Sequence, residues 1–139
     1  MRDATGTREA AAGPGPDAPD SRVGVCLARV PLPDVSGRRA RWLDAAFAAC
    51  EREEMAGRPD RTVAGRLALK QALADLWPRV APGVPAAPAD FVLGRCESGA
   101  PRLVSAPPGL PPASVRVSIS HSPGLAVGLA AAFLPGGRP

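Results

Sequence analysis

The chain has 139 residues, enough for one modest core and too few for two. Its formal net charge is +4 and aromatic residues make up 4%, which fits an acidic partner but leaves no stacking platform for nucleic acid. Three cysteines (Cys26, Cys50, Cys96) without a CxxC pair, beside the single histidine His121, exclude a zinc set or disulfide framework, and no apolar run reaches the roughly 18 residues of a membrane span.

Residues 1–21 are rich in Gly, Pro, Ala and Asp without apolar periodicity, so a flexible tail is expected. No apolar segment follows the N-terminal charges, so the expectation is a reduced, cytoplasmic protein without a secretory signal. The mostly apolar, partly β-branched run 23–30 predicts a first strand, and the prolines and glycine of 31–37 a loop. Apolar spacing through Trp42, Ala45, Ala46, Ala49 and Met55 predicts a helix over 38–56, ended by Gly57 and Pro59. Asp60 is placed to cap a second helix over 61–77, with Pro78 as its stop.

After a proline-rich connection over 78–88, short runs at 91–95, 101–105, 114–120 and 125–133 read as strands. Turns are expected at Glu97-Ser98-Gly99-Ala100 and Ser122-Pro123-Gly124. One strand, two main helices and then an antiparallel sheet define an α+β class, with the body of the fold over 22–134 and a fraying end over 135–139. All but one of the 17 basic residues are Arg, which is a coding skew; Lys70 and His121, each the sole residue of its type, are therefore worth locating.

Three segments in order carry a resemblance. The second helix holds AGRLALKQA (64–72), the C-terminal hairpin VSISHS (117–122), and the first strand GVCL (24–27). Phe47 with Glu51, and the ESGAP turn at 97–101, are weaker echoes. Together they resemble the holo-acyl-carrier-protein synthases, the small trimeric phosphopantetheinyl transferases, whose patterns are A-G-R-F-A-A-K-E-A, H-V-S-I-S-H-S and G-V/I-D-L/I. The resemblance implies the phosphopantetheinyl-transferase-like fold, a homotrimer or mixed trimer, and coenzyme A (CoA) or a phosphopantetheine arm as ligand. It also implies an acyl carrier protein or a CoA thioester as partner, with no role for nucleic acid or membrane.

The same resemblance shows where the chain departs. The family's metal ligands, the Asp of its first strand and the Glu of its helix, are here Cys26 and Gln71, and its Lys one turn later is Asp75. A thiol and a neutral amide suit the hard Mg²⁺ ion poorly, and an anion now stands where a cation would steady a transferring phosphate. The expectation is a chain that holds no metal, requires no cofactor and does not transfer phosphopantetheine in the ordinary way.

By resemblance, Arg66, Lys70, Arg116, Ser120 and Ser122 would surround substrate or phosphopantetheine. The spacing of Arg66 and Lys70 allows both on one helix face. Asp75 and His121 are candidates for metal-free acid–base chemistry, such as a cyclisation or dehydration, with Gln71 and Cys26 shaping the pocket. Arg38, Arg39 and Arg41 form a basic cluster suited to docking an acidic carrier protein.

The leading expectation is a repurposed protein acting on or binding carrier- or CoA-linked intermediates of polyketide-type biosynthesis. The alternatives are a non-catalytic carrier-protein partner, and a working synthase holding Mg²⁺ with help from Gln71, Glu97 or Glu51.

Overall fold

The computed structural model describes residues 22–134; the expected tail and fraying end lie outside the described residues. Strand β1 (Arg22–Pro31) passes through a 3-10 turn (Leu32–Asp34) to helices α1 (Arg39–Ala46), α2 (Ala49–Met55) and the long α3 (Asp60–Val80). Strands β2 (Val92–Arg95) and β3 (Pro101–Ser105) form a two-stranded antiparallel ladder. Strands β4 (Arg116–Ser122) and β5 (Leu125–Leu134) complete a three-stranded antiparallel sheet of order β1-β5-β4. The class is α+β, with three α-helices among the described residues rather than two main ones.

The last strand runs down the centre of its sheet, and its inward row is Ala126, Gly128, Ala130 and Ala132, all buried. Small side chains there let α3 lie almost directly on the sheet. A Cβ added to Gly128 would sit 2.3 Å from the Leu69 amide nitrogen, so any other residue would push the helix away. The helix crosses the sheet diagonally: Gly65 rests against Ile119 and His121 of β4, Leu69 lies over Gly128 of β5, and Leu76 meets Gly24 of β1. Gly65, within the AGR segment, is thus where strand β4 seats, since a Cβ would come 2.8 Å from the His121 ring.

Near the C-terminal end of α3, Trp77 stacks edge-on to Phe91 with ring centroids 5.2 Å apart, and its indole N–H donates to the Pro108 carbonyl at 2.9 Å. The outward row of the sheet is also apolar. Val23, Val25 and Leu27 of β1 pair in register with Phe133, Ala131 and Leu129 of β5. They are half-exposed, and Phe133 is 68% exposed. On β4 the outward row is Arg116, Ser118, Ser120 and Ser122.

Three local expectations are corrected. The helix expected over 38–56 breaks at Phe47, whose extended backbone (φ −123°, ψ 144°) turns its ring into the core. The Glu51 carboxylate then accepts from the Ala48 amide at 2.9 Å and caps α2. Asp60 does not cap α3, because Pro59 holds that position; Asp60 is the first helical residue and pairs with Arg39 at 2.9 Å. Pro78 does not stop α3, which runs on to Val80. The proline forfeits one bond near the helix end, where its own side is exposed, while buried Trp77 and Val80 hold the turn on the core. Both expected turns are present, with Gly99 (φ 92°) and Gly124 (φ 81°) supplying the left-handed backbone that they need.

Candidate functional site

Helices α2 and α3 face one another along charged rows set by sequence spacing. On α2, Glu51 and Glu54 are three residues apart; on α3, Arg66 and Lys70 are four apart, so each pair shares a face. The inner pair, Glu51 and Lys70, meets at 2.6 Å with both side chains essentially inaccessible. Lys70 also donates to the Phe91 carbonyl and, at 3.4 Å, to that of Pro88, and sits 4.9 Å from the Phe47 ring centroid. Glu51 accepts in addition from the Leu93 amide at 2.8 Å. Burial lowers the Lys70 pKa below the ordinary lysine value, with the bonded Glu51 carboxylate pulling the other way.

The outer pair opens onto a cleft of about 510 Å³. Its charged walls are Arg58, Arg66 and Arg95 with Glu54, and its polar rim includes Thr62 and His121. A single oxygen of Glu54, Oε2, bridges Arg66 at 3.2 Å and Arg95 at 3.3 Å. The Arg66 side chain is 4% exposed and that of Arg95 41%, so one guanidinium forms the floor and the other the lip. The backbone at Gly99–Pro101, in the turn between β2 and β3, closes the far wall. His121 lies 3.1 Å from the Arg61 carbonyl through Nε2. A carbonyl only accepts, so that bond places a proton on Nε2. On the other side of His121 a second cavity of about 390 Å³ takes in Arg61, Ser122 and Leu32.

These positions divide the residues expected to act together. Arg66 and His121 line the same cleft. Lys70 does not; its ammonium is turned inward to Glu51 and to backbone carbonyls. Arg116 and Ser120 alternate with Val117, Ile119 and His121 along β4 and so point to the outer face of the sheet. Ser118 reaches the cleft around the strand edge, and Ser122 reaches the second cavity.

Cys26, on the inward row of β1, packs against the main core, and among the described residues Cys26, Cys50 and Cys96 form no disulfide. Gln71 and Asp75 are half-buried on the stretch of α3 that leads to Leu76 and β1. Asp75 lies ten residues beyond Gly65, where His121 rests, which is about 15 Å along a helix, and nine residues from Arg66, about half a turn around it. Within one copy of the chain, Asp75 and His121 therefore cannot exchange a proton directly.

Of the three basic residues expected to dock a carrier, Arg38 and Arg41 are exposed beside Trp42 on a small groove of about 240 Å³. Arg39 is withdrawn: its guanidinium pairs with Asp60 and donates to the Met55 carbonyl, tying α1 to α3. Sequence reasoning missed Glu54, Arg58 and Arg95. They come from a helix, a loop and a strand, and the one readable signal was Arg66 itself, around which they gather.

The donor set suits Mg²⁺ poorly. Cys26 and Gln71, the positions that the resemblance assigns to metal ligands, carry a thiol and an amide, and among the described residues no three His, Cys, Asp or Glu side chains gather as a metal site. Glu51, the nearby carboxylate, has both oxygens engaged by Lys70 and two backbone amides.

No protein-family model and no curated protein sequence matches the chain. Solved structures do. A holo-(acyl-carrier-protein) synthase from Bacillus anthracis, in complex with CoA (3',5'-ADP), superposes with a TM-score of 0.65 at 22% identity, covering 80% of this chain and 96% of that one. The acyl carrier protein synthase of Mycobacterium tuberculosis gives 0.58 at 23% identity (81% and 96%). The Helicobacter pylori holo-[acyl-carrier-protein] synthase in complex with coenzyme A gives 0.59 at 16% (78% and 98%). An α+β domain with a helix laid on a three-stranded sheet and an arginine-lined cleft at its edge is the class. Its fold is that of the holo-acyl-carrier-protein synthases, as the AGR, SHS and GVCL segments had implied.

Proposed function

We propose that this is a repurposed phosphopantetheinyl-transferase-like protein that binds CoA or the phosphopantetheine arm of a carrier protein without Mg²⁺-dependent transfer. The single observation that carries this is the contrast within one chain. Arg58, Arg66 and Arg95 line a cleft of about 510 Å³, while the metal positions that the resemblance assigns hold Cys26 and Gln71. Guanidinium groups grip phosphate through parallel N–H bonds and need no cation to do so. The groove of Arg38, Arg41 and Trp42 is the surface for an acidic carrier. The intermediates would be those of polyketide-type biosynthesis.

Catalysis by Asp75 and His121 would require more than one copy of the chain, in a homotrimer or a mixed trimer. The apolar outer row of Val23, Val25, Leu27, Leu129 and Phe133 supports such an assembly, since a half-exposed apolar sheet face gains by being covered. A head-to-tail ring is the arrangement that could set the Asp75 side of one copy against the His121 side of the next. The distance between those two residues in one chain equally favours a second reading, a non-catalytic partner of a carrier protein.

The test is to incubate the protein with CoA, Mg²⁺ and an apo carrier protein, and separately to record its melting temperature with CoA alone. The expected result is no phosphopantetheine mass increment together with a rise in Tm that is the same with Mg²⁺ or a chelator, because a native-state ligand must stabilise the fold. Carrier modified at an ordinary rate would overturn the proposal.

A further inference from the structure

The cleft already contains an anion. Glu54 Oε2 lies between the Arg66 and Arg95 guanidiniums, 3.2 and 3.3 Å from their nitrogens. That is the place where a ligand phosphate would make its strongest contacts, because the other guanidinium of the cleft, Arg58, stands outside this bridge. The Glu54 side chain is 29% exposed, so its carboxylate lies on the cleft wall rather than sealed behind it. It contrasts with Glu51 one turn away, which is locked by Lys70 and two backbone amides.

We infer that Glu54 is a built-in counter-ion that keeps the two arginines paired in the empty cleft and must give way when an anionic ligand binds. This rests on the reading of the cleft as an anion site and adds to it a residue that sets which anions succeed. A ligand group wins the place only by offering the arginines more than a carboxylate does. A phosphomonoester, with up to two charges and three acceptor oxygens, does so. A carboxylate or a singly charged diester gains little by the exchange, since it replaces a group of equal charge. Glu54 thus acts as a specificity-determining residue: it holds Arg66 and Arg95 in place for the ligand, and it imposes a like-charge cost that only the more highly charged group repays.

The test is calorimetric titration of the full chain with 3',5'-ADP, which carries phosphomonoesters, and with acetate as the weak competitor. Wild type is compared with Glu54→Gln and Glu54→Asp, each checked for an unchanged Tm and circular dichroism spectrum. Glutamine keeps the length and one acceptor oxygen but removes the charge, so 3',5'-ADP should bind roughly tenfold tighter and acetate should become detectable. Aspartate keeps the charge but is one methylene shorter, so its gain should be smaller. Wild type that binds 3',5'-ADP while Glu54→Gln binds equally or more weakly would overturn the inference and leave the anion-cleft reading standing, with Glu54 reduced to an arginine-positioning residue. No binding by wild type or either variant would overturn both.

Discussion

Two ion pairs join the same two helices one turn apart, and they have opposite fates. Glu51 and Lys70 meet at 2.6 Å in a place water does not reach, with every remaining polar contact made to backbone. Glu54 and Arg66 meet at 3.2 Å on the wall of a cleft, with a third charge, Arg95, leaning in from β2. A dry pair is costly to break because the surviving charge has nowhere to go, whereas a wet pair can exchange one partner for a ligand. The first is part of the fold, and the second is the part of the molecule that can respond.

The comparison is broken most severely at Lys70. Lys70→Met strands the Glu51 carboxylate in the core, and urea unfolding should show a loss of about 3–5 kcal/mol, as for other buried pairs that lose one member. The double variant Glu51→Gln, Lys70→Met removes the stranded charge and should recover a large part of that loss. A single-variant loss below about 1 kcal/mol would mean that the pair is hydrated in solution.

The outer pair should respond in binding more than in stability. Arg66→Gln removes the guanidinium at the cleft floor, and 3',5'-ADP affinity should fall roughly ten- to hundredfold, the equivalent of about 1.5–3 kcal/mol for a charged hydrogen bond. Raising the salt concentration should weaken 3',5'-ADP binding to wild type while leaving the cost of Lys70→Met almost unchanged, since screening reaches the cleft and not the core. Binding that is indifferent to both salt and Arg66→Gln would remove the cleft from consideration.

The smallest effect marks the exposed end of the scale. Arg39 and Asp60 pair at 2.9 Å, but their side chains are 24% and 37% exposed. Arg39→Ala should cost no more than about 1 kcal/mol in thermal or urea unfolding, because solvent already screens the pair. A larger loss would show that the additional bond from Arg39 to the Met55 carbonyl is what fastens α1 to the body.

Much of the fold was legible because it is written locally. The apolar, partly β-branched run of β1, the glycine turns at Gly99 and Gly124, and the AGR and SHS segments each report on a few neighbouring residues, and chain order then implies the class. Gly65 shows why one of those segments reads as it does: a side chain there would occupy the position of the His121 ring. The break at Phe47 and the passage of α3 through Pro78 were not legible, since both follow from burial of aromatic rings against partners distant in sequence.

The candidate site divides along the same line. Spacing alone determined that Arg66 and Lys70 share a face of α3; that Cys26 and Gln71 replace carboxylate positions is what the resemblance implied. Tertiary structure alone decided that α2 and the segment leading into β2 would cover Lys70 and leave Arg66 at the edge of open space, that Glu54 would lie between two arginines, and that about 15 Å of helix would separate Asp75 from the residue under His121. Helical periodicity reports the angle at which a side chain leaves its own axis. What covers that side chain, and hence whether its charge is part of the fold or meets a ligand, depends on elements packed against it from elsewhere in the chain.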